Sequence, residues 1–198
     1  MKTGNFRFLA FVAMQMASLF AASNALAHHP MGGAMPDSAM EGLLSGLGHP
    51  IIEAGHLIFL LSAALVAAIY IENSRKAMLP LAGYVSCSSI GVMLGIASES
   101  FTMVELGVGI TLLVMALCLW RSEAISLRAG GAIAVLAGLV HGMAYAEAVV
   151  GAEPTPILAY LLGLTMIQTA VVIVAFLIFQ WTMKASPRLI RVSRHALA

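Results

Sequence analysis

Apolar residues run in five long blocks separated by short polar breaks, at about 49–71, 78–98, 103–120, 129–148 and 156–183. A helix needs ~20 apolar residues to cross ~30 Å of hydrocarbon, and each block comes near or exceeds that length. The pattern predicts five transmembrane helices. The last block is longer than a span requires, so it must tilt, break near Gly163 or extend past the bilayer. Ahead of these blocks, residues 1–27 have the layout of a cleavable signal peptide. Lys2 and Arg7 form a basic start, Phe8 to Ala22 an apolar stretch, and Ala25-Leu26-Ala27 a small-x-small cleavage site. Residues 28–48, rich in Gly, Met and small side chains, read as an external lead-in with an interfacial turn of helix. Residues 49–183 form the transmembrane domain and 184–198 a basic tail.

Composition agrees with an all-α integral membrane protein. Of 198 residues, 61% are hydrophobic and 10% charged, with mean hydropathy +0.97, whereas a soluble domain is about one-quarter charged. Nine acids nearly balance ten bases, which argues against a nucleic-acid partner. Cys87 and Cys118 lie inside separate apolar runs, too far apart in sequence for a CxxC metal site. The chain contains no HExxH, GxSxG, P-loop or dinucleotide fingerprint, so nothing in it suggests an enzyme or an ATP-driven pump.

Charge distribution orients the helices. Arg75 and Lys76 follow the first block, Arg121 and Arg128 bracket the loop after the third, and Lys184, Arg188, Arg191 and Arg194 follow the fifth. The alternate connections, 99–102 and 147–155, hold no Lys or Arg. The positive-inside rule then places the mature N-terminus outside the membrane and the tail on the cytoplasmic side.

Five of the six histidines and most of the acids fall in the outer half of this topology. His49, Glu53 and His56 stand at i, i+4 and i+7. On a continuous helix they lie within roughly 40° of one another, with His56 about 10 Å deeper than His49. Ionisable groups inside a span are costly enough to suggest function. Imidazoles and carboxylates without a thiolate cluster suit a divalent first-row metal such as nickel, cobalt or zinc. Glu105 and His141 are further candidate ligands from spans three and four, with a polar clasp between helices as the alternative. Glu147 is about 120° from His141 on a helical wheel and joins the same site only if the helix unwinds at its outer end. Tyr145 reads as an interfacial anchor or as a partner of His141. Signal cleavage would expose His28 and His29, whose amine and imidazole nitrogens chelate transition metals. Met31, Met35 and Met40 offer thioethers to copper. Gly91-x3-Gly95 and Gly138-x3-Gly142 permit close helix approach.

In four blocks the chain resembles the HupE/UreJ family of hydrogenase and urease accessory membrane proteins. The blocks are Ala27-His28, His49-Pro50…His56 in the place of HPxxGxDH, Val104-Glu105, and His141-Gly142-Met143-Ala144-Tyr145-Ala146-Glu147. Two positions depart from the pattern. Gly55 stands where the family has Asp, and Glu53 where it has Gly, which moves the carboxylate two residues along the chain. Ala146 replaces a Gly before the span-four Glu.

The resemblance implies a nickel (or cobalt) permease. On that reading the ion is cargo carried from periplasm to cytoplasm for metalloenzyme maturation, and no cofactor is permanently bound. The metal-contacting candidates are His28, His29, His49, Glu53, His56, Glu105, His141 and Glu147. The partners are the ion and the lipid bilayer, with homo-oligomerisation left open. The main rival is a copper-binding or metalloenzyme-assembly factor that holds metal without moving it. A membrane hydrolase with an intramembrane zinc site is a further rival, and it lacks a third firm ligand at fixed spacing.

Overall fold

The computed structural model describes residues 34–71, 74–98, 102–120 and 125–185. The signal-peptide, His28/His29 and basic-tail readings lie outside the described residues. Within them every regular element is helical: α1 (Ala39–Ile52), α2 (Ala54–Tyr70), α3 (Ser74–Ser98), α4 (Thr102–Trp120), α5 (Leu127–Tyr145) and α6 (Pro154–Ala185), with a 3-10 turn at Ala146–Ala148. Four helical stretches are each long and apolar enough to span a membrane, and α1 with α2 qualifies as a fifth span bent by 72°. Large apolar side chains such as Leu106, Leu113, Leu158, Leu177 and Trp181 face outward, as a lipid-facing surface requires.

The first span is not the straight helix over 49–71 that its hydropathy suggests. Helix begins ten residues earlier, at Ala39, where the Ser38 hydroxyl accepts a hydrogen bond from the Glu41 amide at 3.3 Å. It ends at Ile52, and Glu53 adopts extended backbone (φ −76°, ψ 104°) before α2 resumes at Ala54. Proline chemistry accounts for the weakness at this point. Pro50 has no N–H to give the Gly46 carbonyl, and its ring crowds that turn. One bond still ties the break together, from the Glu53 amide to the His49 carbonyl at 3.1 Å.

Glycine sets how the helices pack. Gly91 and Gly142 face each other across α3 and α5, so that a Cβ on Gly142 would strike the Ser88 carbonyl and one on Gly91 the Leu139 carbonyl. Gly95 meets Met143 and Gly138 meets Tyr84 in the same seam, so both small-xxx-small spacings read from the sequence lie in one interface. A second seam joins α1 to α6, where Gly42 backs onto Pro156, Gly46 onto Tyr160, and Gly163 onto Leu43. The last span therefore does not break at Gly163. It runs unbroken for 32 residues, about 48 Å, and Gly163 instead gives α1 room to approach.

A core of Phe59, Leu60, Tyr84, Val108, Leu112 and Phe176, among others, fills the space between α2 and helices α3 to α6. Next to it, Tyr145, Tyr160, Leu164 and Val149 form a smaller cluster. The helix break lies where these two clusters meet the histidines.

Candidate metal site at the helix break

The break turns two histidines of one span towards each other. His49 is on the last turn of α1 and His56 on the first turn of α2, both buried, with ring centroids 5.7 Å apart. His141 of α5 completes the group, 4.9 Å from His56 and fully buried. Tyr145 is packed among them, 4.2 Å from His56 and edge-on to His49 at 5.2 Å. With no exposed surface, Tyr145 is not the interfacial anchor its position near the end of a span suggests. His49 is likewise not on a continuous helical stripe with His56. The 72° bend, rather than the i, i+7 spacing, brings the rings together.

Hydrogen bonds decide which ring nitrogens carry protons. Thr111 Oγ1 donates its single proton to the Val108 carbonyl at 2.7 Å, so at 2.8 Å from His141 Nε2 it acts as acceptor. His141 therefore carries its proton on Nε2, and the neutral ring presents a bare Nδ1. His56 Nδ1 lies 2.8 Å from that atom and must donate to it, which leaves the lone pair of His56 on Nε2. The same logic applies to His49. Tyr160 donates its hydroxyl proton to the Tyr145 carbonyl at 2.8 Å and so accepts from His49 Nδ1 at 3.0 Å. His49 also keeps its lone pair on Nε2. Two imidazoles thus have their Nδ1–H oriented by neighbours and their Nε2 in the form that binds a metal.

The carboxylates occupy a different zone. Glu53 is half-buried at the break itself, and it caps neither helix with its side chain. Glu105 is exposed on α4 and Glu147 is exposed on the 3-10 turn. α5 does end its regular winding at Tyr145, the condition under which Glu147 leaves the wheel position it would have on a straight helix. Glu53 and Glu147 both act electrostatically on Glu105, so the three acids share one field beside the histidines. Among the described residues, no three His, Cys, Asp or Glu side chains are gathered closely enough to form a ready-made metal cage. The groups brought together most closely are the three imidazoles, His56 lying 4.9 Å from His141 and 5.7 Å from His49 between ring centroids.

Five residues at the site do not stand out from motif spacing. Thr111 and Tyr160 orient the imidazoles. Tyr84, Ser88 and Gln168 form a buried polar group next to them. Gln168 and Ser88 sit inside apolar runs, where an unexplained polar side chain is the signal that would have found them. Towards the basic end of the bundle, the stacked rings of Phe59 and Tyr84, 4.9 Å apart, separate His141 from a cavity of about 40 Å³. Apart from the tyrosines, its walls are apolar, including Val66, Leu81, Met115 and Ile133.

These features define a multi-pass helical membrane protein with a histidine–tyrosine cluster at a broken span. The chain belongs to the HupE/UreJ family, whose family model, HupE / UreJ protein, matches residues 15–198. That family is associated with nickel or cobalt accessory and transport functions. No curated protein and no solved structure matches the chain significantly.

Proposed function

We propose that the protein carries divalent nickel, or cobalt, from the periplasm to the cytoplasm for metalloenzyme maturation, and that His49 and His56 are the central metal-contacting pair. One observation carries this reading: the two buried rings lie 5.7 Å apart across the helix break, each with its Nδ1–H oriented by a neighbour, the tautomer in which imidazole coordinates a metal through Nε2. Nickel and cobalt bind imidazole nitrogen well, and broken helices with sites in the bundle interior are a recurrent arrangement for ion passage.

The acids and the outlying histidines take supporting roles. Glu53, Glu105 and Glu147 raise the local concentration of cations at the entrance, and Glu53 is the carboxylate nearest in sequence to both imidazoles. His28 and His29 capture the ion first. His141 binds metal only if its bond with His56 opens, so in the resting state it orients His56. Inward movement of a cation gains ~2.3 kcal/mol per charge per 100 mV of membrane potential, and passive passage down that gradient is the simplest drive. The basic residues Arg75, Lys76 and Arg128 all lie at the end of the bundle opposite the acids, which favours that end as cytoplasmic.

The test is nickel uptake in cells lacking other importers, together with metal binding by purified protein. His49→Ala and His56→Ala should each abolish uptake and lower binding at least tenfold. Wild-type uptake by both variants would refute the reading. Binding lost in the variants, with no metal flux through the wild type in proteoliposomes, would favour a holding factor over a transporter.

A further inference from the structure

Beside the histidines, three polar atoms are buried without a hydrogen-bond partner: the hydroxyls of Tyr84 and Tyr145, and Nε2 of Gln168. Tyr84 is 1% exposed and the other two residues 0%. They share one neighbourhood, since the Tyr145 hydroxyl lies within interaction range of both the Tyr84 hydroxyl and the Gln168 amide. Each such group costs on the order of 1–3 kcal/mol when left unmatched, and hydrocarbon offers it nothing. Three of them together in one interior point to a ligand that matches them.

The neighbouring serine narrows the choice of ligand. Ser88 Oγ is 2.8 Å from the Val85 carbonyl and 2.8 Å from Gln168 Oε1, yet it has one proton for two acceptors. Turning the Gln168 amide over lets Nε2 donate to Ser88 and presents Oε1 to the tyrosines. The site therefore offers two hydroxyls and either an amide N–H or an amide oxygen. Water, which donates two hydrogen bonds and accepts two, satisfies both versions. An anion fits one of them, and an apolar group fits neither.

We propose that Tyr84, Tyr145 and Gln168 bind ordered water inside the bundle, between the histidine rings and the apolar cavity. Tyr84 links the two regions, because its ring packs 5.7 Å from His141 and also lines the cavity. On the transport reading above, and resting on it, this water supplies the first oxygen ligands to an ion leaving the imidazoles for the cytoplasmic side. Water binding itself needs no metal and holds independently of that role.

X-ray radiolytic footprinting of the full-length, metal-free protein in lipid nanodiscs tests the site, because activated bound water oxidises the side chains it touches. Tyr84 and Tyr145 should be modified at least fivefold faster than Phe176, a buried aromatic in the core without a polar neighbour. In ¹⁸O-labelled water the added oxygen should carry the label. Gln168→Leu should slow modification of Tyr145 at least threefold. If that variant does not fold, the wild-type comparison with Phe176 decides alone. Equal modification of Tyr84, Tyr145 and Phe176 would overturn the proposal and leave a network closed directly through the reversed amide. Rapid labelling in a protein that moves no nickel would uphold the water site and count against the transport reading instead.

Discussion

Nδ1 of His56 and Nδ1 of His141 lie 2.8 Å apart, so the two imidazoles cannot present the same tautomer to each other. Thr111 settles which ring donates. Its own proton goes to the Val108 carbonyl, it accepts from His141 Nε2, and His56 becomes the donor with Nε2 left as the metal-binding atom. Thr111→Val should remove that control while keeping the side-chain volume. Nickel affinity is expected to fall roughly tenfold, within the 10–100-fold range for such orienting partners, and Thr111→Ser should restore it. Titration of purified protein with cobalt, followed by its visible absorption, reads both outcomes without relying on transport.

Tyr160 holds His49 in the same way, between the imidazole and the Tyr145 carbonyl. Tyr160→Phe leaves a buried donor and a buried acceptor unmatched. It should lower stability by about 1–3 kcal/mol and weaken metal binding at His49. Thermal unfolding in detergent, with and without nickel, checks the two effects separately: the variant should melt earlier and gain less from the metal.

Gly55 tests whether the carboxylate can move along the chain. A Cβ there would meet only Leu112 and Val108 side-chain atoms at 3.8 Å, ordinary contact distance, so Gly55→Asp has room at its first atom. The new acid would sit in the first turn of α2, where the helix dipole favours negative charge. Glu53→Ala is expected to cut uptake about tenfold. Gly55→Asp placed in that background should recover most of it. No loss on Glu53→Ala would remove Glu53 from the site.

Two glycines of α5 predict opposite responses to the same change. Gly142→Ala drives a Cβ into the Ser88 carbonyl and the Gly91 backbone, so the α3–α5 seam must open. A loss of about 2 kcal/mol or more is expected, in the range of overpacked interiors. Gly131→Ala meets nothing within 4 Å and should be neutral, or stabilising by up to about 1 kcal/mol from helix propensity. Chemical denaturation of the two variants side by side gives the comparison.

The apolar helices and most of their limits were readable because lipid imposes a length and a composition on whatever crosses it. The predicted blocks at 78–98 and 103–120 differ from the observed α3 and α4 by only a few residues at their ends. The family pattern was readable too, since it rests on residue identities in order. The course of the first span was not. Hydropathy averages over a window, so it registers 49–71 as one block and cannot see that Pro50 weakens the turn before Glu53. Ser38 and Glu41 at the start of α1, together with the Gly42-x3-Gly46 spacing, were local signals of the longer helix.

The candidate site divides along the same line. Sequence alone determined which chemical groups are present: histidines inside apolar helices, most of the acids near one end, and glycines spaced for close packing. It determined the membrane class because the free energy of burying backbone and charge in hydrocarbon leaves few alternatives. Only the tertiary structure decided how the groups meet. The bend at Glu53 brings His49 to His56, α5 delivers His141 and Tyr145, α4 delivers Thr111, and α6 delivers Tyr160. Proton positions on the imidazoles depend on partners 30, 85 and 111 residues away. Spacing along a single helix carries no record of those partners, because hydrogen-bond direction is set by atoms that become neighbours only when the helices pack.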